Sequence, residues 1–504
     1  MTGLTQQVGR AMAWSVFARM GRFVLGLASS VIVVRALGAH EYGVLSLVRT
    51  LSMFAVMIAG GGMGKALLKF LPAMRVERSP GGARALVRTA VVVNLALWTV
   101  LAGGVYLGRG LIERAFPYEG LGMVLAAAVA LGLFEVFFTL ISRVLEANYA
   151  TRRLSVAALL GHVVFIAALL VVLPRGLGVL GVVAAGAAGH AASCLLLVSL
   201  LKAVIPTSGN GGESDTQISG RRLARFSVPF VAIGVLNLIV WRQSETMFLG
   251  HYRTAAETGF FDLAYRIPQT MLEFVPGAVW PLVMAGISEV YARDAGKLRR
   301  AVDRYYRMLF VLCAPLCALG IVLGGRAIPI LFGESMAPAA IPTQVFFAIF
   351  TVSFLGTPLS MTLYVLEKTH VNLIVYLGLA VANVGLNLLL IPSYGVLGAV
   401  ISVAVVTAAS PIVYGAILGR YVGGIKFPFG FIGKCFLASG AAVLLVPFLR
   451  FVTGPIAFAA ACVVGLLSIV LAFKIVRVLN VEDLETLGAV PIPMAKRLLR
   501  FIAS

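Results

Sequence analysis

The chain has 504 residues, 60% of them hydrophobic and 12% charged, with a mean hydropathy of +1.00. Soluble domains carry about 25% charged and 45–50% apolar residues, so these proportions exclude a water-soluble globular protein and require a polytopic membrane protein. The formal net charge of +21, from 41 Lys and Arg against 20 Asp and Glu, would raise nucleic acid as a partner in a soluble chain; here it reads as basic cytoplasmic loops facing anionic lipid, with no nucleic acid involved.

A spanning helix needs about 20 mainly apolar residues. By that ruler the sequence predicts an all-α chain of about fourteen transmembrane helices, near 11–34, 42–64, 86–108, 120–142, 153–173, 179–202, 224–249, 259–281, 304–325, 339–364, 371–391, 396–419, 431–451 and 454–478. There is no cleavable signal peptide pattern, because the first apolar run is too long and no soluble domain follows it. An even number of spans puts both termini on one side. The segments that fall on that side are rich in base: Lys65 to Arg88, Arg143 to Arg153, Lys202 to Arg225, Arg293 to Arg307, and the tail with Lys474, Arg477, Lys496, Arg497 and Arg500. The opposite loops hold scattered arginines only, so both termini are expected in the cytoplasm of a cell (inner) membrane.

The first two spans meet at Val34-Arg35-Ala36-Leu37-Gly38-Ala39-His40-Glu41-Tyr42-Gly43, and the second carries Arg49 a few residues further on. A weaker echo, Leu249-Gly250-His251-Tyr252 and then Glu257-Thr258-Gly259-Phe260, precedes a span with Asp262 and Arg266. The most polar stretch, Pro206 to Gln217, reads as a flexible linker after the sixth span. The chain thus divides into an N-terminal six-helix lobe (1–205), a cytoplasmic linker (206–222), a C-terminal six-helix lobe (223–420), two additional helices (421–480) and a cytoplasmic tail (481–504). Two related hairpins, each with an arginine in an apolar span, point to two lobes facing a polar cavity. The end of the tail, Met494 to Ile502, suits a short helix on the inner leaflet. The five cysteines, Cys194, Cys313, Cys317, Cys435 and Cys462, all lie in apolar segments and read as small core residues, without disulfide or metal site.

Charged residues inside spans are the candidate functional groups. The arginines are Arg19, Arg22, Arg49, Arg242 and Arg266; the acids are Glu135, Glu245, Asp262 and Glu273. Arg19 and Arg22 share a face of the first helix, with Arg19 close enough to the surface to snorkel. Asp262, Arg266, Gln269 and Glu273 form one polar stripe on the eighth. Arg242–Glu245 and Asp262–Arg266 can each be a structural ion pair, whereas Arg49 has no acid nearby in sequence. Glu135 is open to two readings, a buried protonated acid or a coupling-ion site. A cationic excess in a cavity favours an anionic substrate, and the planar fork of arginine suits phosphate. His40 and His251 sit at matching bends and read as structural. Prolines at 229, 268, 276, 281, 315 and 358 and the glycines 60–62 and 64 allow kinks and close helix approach.

The motif Arg35-Ala36-Leu37-Gly38-x-x-Glu41-Tyr42-Gly43, the late segment Asn383-x-x-x-Asn387-Leu388-Leu389-Leu390-Ile391-Pro392-x-x-Gly395-x-x-Gly398-Ala399 and Glu482-Asp483-Leu484 together resemble the polysaccharide-transporter, O-antigen flippase-like branch of the multidrug/oligosaccharidyl-lipid/polysaccharide exporter superfamily. The resemblance implies two six-helix lobes around a central cavity, alternating access, and a polyprenyl-pyrophosphate-linked glycan as cargo. Related lipid II flippases hold the pyrophosphate with cavity arginines on helices one, two and eight; Arg19 or Arg22, Arg49 and Arg266 occupy comparable helices here. It also implies membrane lipid as a partner and a coupling cation, Na+ or H+, with no cofactor and no catalysis. Two alternatives stay open: a multidrug/cation exchanger of the same superfamily, which calls for a carboxylate-dominated cavity, and a membrane-embedded glycan polymerase or ligase, which calls for acid/base residues on a large outer loop.

Overall fold

A computed structural model describes residues 2–77, 79–148, 150–201, 218–241, 244–422 and 427–479, and side-chain surroundings for all of these except 2–19, 75–76, 151, 200–201, 275–282, 285 and 295. The linker around Pro206 to Gln217 and the tail after Val481 lie outside the described residues. Among the described residues the chain is helical, with no strand. Among the described residues, twelve segments are long and apolar enough to cross a membrane, so this is a multi-pass membrane protein. One of the twelve, Met20–Met74, runs 55 residues, about twice what one crossing needs, and takes in most of the first predicted span and all of the second; counted as two it gives thirteen, consistent with about fourteen.

Contacts group the chain into two units, Met1–Thr258 and Gly259–Ser504. The first holds α1 (Thr2–Ala59), α2 (Met63–Val76), α3 (Pro80–Leu107), α4 (Arg109–Ala115), α5 (Leu121–Leu131), α6 (Leu133–Ala147), α7 (Thr151–Val172), α8 (Gly178–Leu201), α9 (Gly220–Trp241) and α10 (Ser244–Tyr252).

The predicted bend between the first two spans shrinks to a single residue. Gly38 has φ +71° and ψ −178° inside α1, a backbone state that side chains disfavour and glycine tolerates. The helix resumes at once, and the carboxylate of Glu41 lies against Gly178 at the start of α8. At the other end of the second span, Gly61 and Gly62 both take positive φ. Gly62 abuts the Ser227 backbone of α9 so closely that a Cβ would have no room.

The basic stretch that follows is a helix, α2, where the sequence reading placed a cytoplasmic loop. Met63, Ala66, Leu67, Phe70, Leu71 and Met74 fall at helical spacing and bury together with Leu86, Leu140 and Leu223, so amphipathicity suffices to fold it. Lys69 stays outside this face, its ammonium 4.3 Å from the Phe226 ring. The weaker echo packs on the main motif: Gly250 of α10 sits beneath Leu47 of α1. On the same unit, His251 Nδ1 lies 2.5 Å from the Ala115 carbonyl oxygen, the Tyr118 hydroxyl donates to the Arg253 carbonyl at 3.0 Å, and His40 meets Tyr118 edge-on. His40 and His251 thus each make a local contact near their bends.

The second unit holds most of α11 (Ala255–Arg293), then α12 (Leu298–Phe332), α13 (Ala340–Val365), α14 (Thr369–Tyr394), α15 (Val396–Val422), α16 (Phe429–Ser439) and α17 (Pro455–Ile475). Phe261 and Tyr265 of α11 pack on Phe346 and Phe350 of α13, with Tyr265 and Phe350 ring centres 4.9 Å apart. The predicted span 431–451 is α16 followed by a 3-10 helix over Gly440–Phe451 that contains Pro447, whose missing N–H removes one ladder hydrogen bond. All five cysteines are free thiols.

Candidate functional site

Two helices of the first unit cross on glycine. A Cβ on Gly189 of α8 would stand 2.6 Å from the Gly161 carbonyl oxygen of α7, and the Ser193 hydroxyl donates across the crossing to the Ala157 carbonyl at 3.0 Å. Small residues let membrane helices approach this closely. The residue after each glycine is a histidine, His162 on α7 and His190 on α8. The crossing therefore carries both imidazoles to one place, beside α1 and α6.

There they line a cavity of about 330 Å³ together with Arg22, Arg49, Ser52, Glu135 and Ser193. The rest of the wall is apolar and includes Leu45, Val48, Phe138, Phe165 and Val183. The His162 ring bonds the Ala158 carbonyl and lies within electrostatic reach of Arg22 and His190. His190 stacks on Phe138, centroids 5.8 Å apart. Arg49 and Glu135 form no hydrogen bond or ion pair with each other or with any other described residue. A guanidinium and a carboxylate left unpaired amid apolar helices are costly unless water or a ligand meets them, so this cavity can accept a polar guest.

The sequence-predicted groups separate into three sets. Arg22, Arg49 and Glu135 come together in this cavity. Glu245 is buried on α10 but does not line it. On α11, the polar stripe resolves into two i,i+4 pairs: Arg266 to Asp262 at 2.8 Å, with Asp262 fully buried, and Gln269 to Glu273 at 3.1 Å. The Arg19 side chain and Arg242 lie outside the described residues. His162 and His190 were not singled out from the sequence. The repeated Gly-His dipeptide, in two consecutive apolar spans, is the signal that marks them.

A model of the polysaccharide biosynthesis protein family matches residues 32–341. Among curated proteins, the chain is 23% identical over 454 residues to "Probable flippase AglR" of Haloferax volcanii, covering 88% of this chain and 90% of that one. It is 25% identical over 345 residues to "Succinoglycan biosynthesis transport protein ExoT" of Rhizobium meliloti, covering 66% and 64%. Among solved structures it is similar to lipid II flippase MurJ in an inward closed conformation, with a TM-score of 0.70 at 13% identity over 92% of this chain and 98% of that one. An inward-facing MATE-family multidrug transporter matches with a TM-score of 0.67 at 15% identity, over 81% and 98%. The matched family model covers more than half of the chain and takes in Arg35 to Gly43, Arg49, Glu135, both cavity histidines and Arg266. The chain belongs to the polysaccharide biosynthesis protein family and has the helical membrane fold of the MurJ and MATE transporters.

Proposed function

We propose that this protein is a flippase that carries a polyprenyl-diphosphate-linked oligosaccharide or polysaccharide repeat unit from the inner to the outer leaflet by alternating access. The observation that carries the reading is the cavity of the first unit, where two guanidiniums, Arg22 and Arg49, stand against one carboxylate, Glu135, and Arg49 pairs with no described residue. That balance favours an anion, and arginine binds phosphate oxygens two at a time. The volume lies at the small end of ligand pockets, which run from about 300 to 1,000 Å³. It suits a diphosphate and leaves glycan and prenyl chain to other surfaces and to lipid. The printed names of two relatives, a flippase and a polysaccharide transport protein, support the same reading.

In this proposal Arg19 and Arg266 also meet the diphosphate. Arg266 does so by sharing its charge between cargo and Asp262. Glu245, Gln269, Glu273 and Arg242 belong to the polar path or to a coupling-cation site for Na+ or H+. Both termini face the cytoplasm, and the repeat lobes are 1–205 and 223–420, joined by the linker. A multidrug/cation exchanger is the competing reading. It calls for carboxylates in excess, and in the described lining guanidinium exceeds carboxylate.

Expression in a strain lacking its own lipid-linked glycan flippase tests this. The wild-type chain restores glycan export, and the Arg22→Ala/Arg49→Ala variant does not. Full export by that variant at normal membrane levels refutes the site.

A further inference from the structure

We propose that His162 and His190 make the cavity a proton-linked anion site, in which a diphosphate and a proton bind together and leave together. This rests on the reading above of the cavity as the diphosphate site, and adds what sets its charge.

The inference starts from which groups face one another. α7, which carries His162, packs against α1, α6 and α8. Arg22 and Arg49 enter the cavity from α1, Glu135 from α6 and His190 from α8. α5, which packs on α8, has no charged residue. The other described ionisable side chains on these helices, among them Arg35, Glu41, Arg152 and Arg153, do not line the cavity. Arg143 and Glu146 of α6 pair with each other at 2.7 Å, and the Cys194 thiol of α8 donates to the Phe134 carbonyl. Among the described residues, the charge of the cavity is therefore set by two guanidiniums, one carboxylate and two imidazoles.

Only the imidazoles have an ordinary titration range between pH 5 and 8. With both neutral, two guanidiniums against one carboxylate leave a single positive excess. A diphosphate esterified at both ends carries two negative charges and has no group that titrates in this range. The resting site is one charge short of its guest, and one proton on either imidazole completes the match. The anion favours the protonated form of a nearby imidazole, and by linkage the protonated form favours the anion. The step is balanced by one proton taken from the aqueous side open to the cavity and returned with the anion on release. Ser193 fixes the α7–α8 crossing that holds the two rings close.

The test uses the full chain in nanodiscs of zwitterionic lipid, with P1,P2-dimethyl diphosphate as the probe, followed by titration calorimetry. The expected result is binding tighter at pH 6 than at pH 8 by well over tenfold, toward the roughly hundredfold that one fully linked proton gives across two pH units. At pH 7, buffers of different ionisation heat should report uptake of about one proton. His162→Gln/His190→Gln should bind at both pH values with the wild-type affinity of pH 8. The single variants His162→Gln and His190→Gln, which disturb the crossing less, should each reduce the pH slope. Glycerophosphoglycerol, the singly charged headgroup of an anionic phospholipid, should bind more weakly and with a smaller pH dependence. Wild-type binding with a flat pH profile overturns the proton linkage alone, as does a slope that survives in the double variant. Proton-linked binding of glycerophosphoglycerol as tight as that of the diphosphate overturns the charge match and points to phospholipid. Absence of diphosphate binding at either pH, or binding unaffected by Arg49→Ala, removes the diphosphate reading and this inference with it.

Discussion

Arg49 and Glu135 line the same membrane-embedded cavity and do not pair. Opposite charges held apart in a low-dielectric site are unusual, because closing the gap would normally lower the energy. Arg49 enters this cavity from α1 and Glu135 from α6, so a third, anionic group in the cavity meets both. Glu135 then acts as a repulsive neighbour that limits how tightly the anion is held. Glu135→Gln should tighten binding of a dimethyl diphosphate probe by at least roughly tenfold, because one like charge within about 12 Å of a negative charge contributes about 1.4 kcal/mol at an effective dielectric near 20. Weaker binding in this variant would mean that the carboxylate orients Arg22 or Arg49 instead.

The Gly161–Gly189 crossing has no space for a side chain on either helix. Gly189→Val should push α7 from α8, separate the two histidines and cost about 1–3 kcal/mol or more from overpacking. Thermal unfolding in detergent measures the cost, and the same variant should lose pH-dependent anion binding. Gly186, on the same helix, has open space around its Cβ position, so Gly186→Ala should leave stability within a few tenths of a kcal/mol.

Asp262 is fully buried, and Arg266, its partner at 2.8 Å, is 27% exposed. Arg266→Ala removes the ion-pair partner at 2.8 Å from a fully buried carboxylate and should destabilise the protein by about 3–5 kcal/mol. Asp262→Asn/Arg266→Gln removes both charges and should recover most of that loss. Transport separates the two roles of the arginine. If the double variant regains stability and still fails to export glycan, Arg266 serves the cargo; if export returns with stability, the pair is structural.

Tyr118 ties the α4–α5 loop to the start of α11 through its bond to the Arg253 carbonyl. Burial pushes its phenol above the ordinary value of about 10, a hydrogen bond with Thr258 offsets part of this, and Glu257 adds to the rise. With the folded value raised, the stabilising contribution is complete below pH 10 and is lost as pH rises through the folded value. Tyr118→Phe should cost about 1 kcal/mol at neutral pH and should show a shallower fall in melting temperature between pH 9 and 11. An unchanged alkaline slope would assign the loss to other groups.

Helices, spans and the family could be read from the chain because a membrane span is a one-dimensional signal: twenty apolar residues in a row, punctuated by Gly38 or Pro455. Arg22, Arg49 and Glu135 were legible for the same reason, since a charge in such a run stands out. The cavity histidines were less visible. His162 and His190 are 28 positions apart, and only the close packing of Gly161 on Gly189 makes them neighbours. The amphipathic α2 was hidden by its charge: Lys65 and Lys69 interrupt the apolar run, and the period of its buried face became decisive only once α3, α6 and α9 were there to cover it. The polar residues of α11 make two i,i+4 contacts, Arg266 to Asp262 and Gln269 to Glu273, and spacing alone does not tell what else such a stripe meets.

The most direct test is translocation itself. The purified full chain is reconstituted into liposomes with a fluorescent polyprenyl-diphosphate sugar, and loss of the outer-leaflet pool to an impermeant quencher is followed against time. The wild-type chain should move the lipid faster than empty liposomes by at least about tenfold, and Arg22→Ala/Arg49→Ala should return the rate to that of empty liposomes while the protein still melts cooperatively. Wild-type rates from the folded double variant would contradict the assignment of the α1 guanidiniums as the groups that carry the diphosphate.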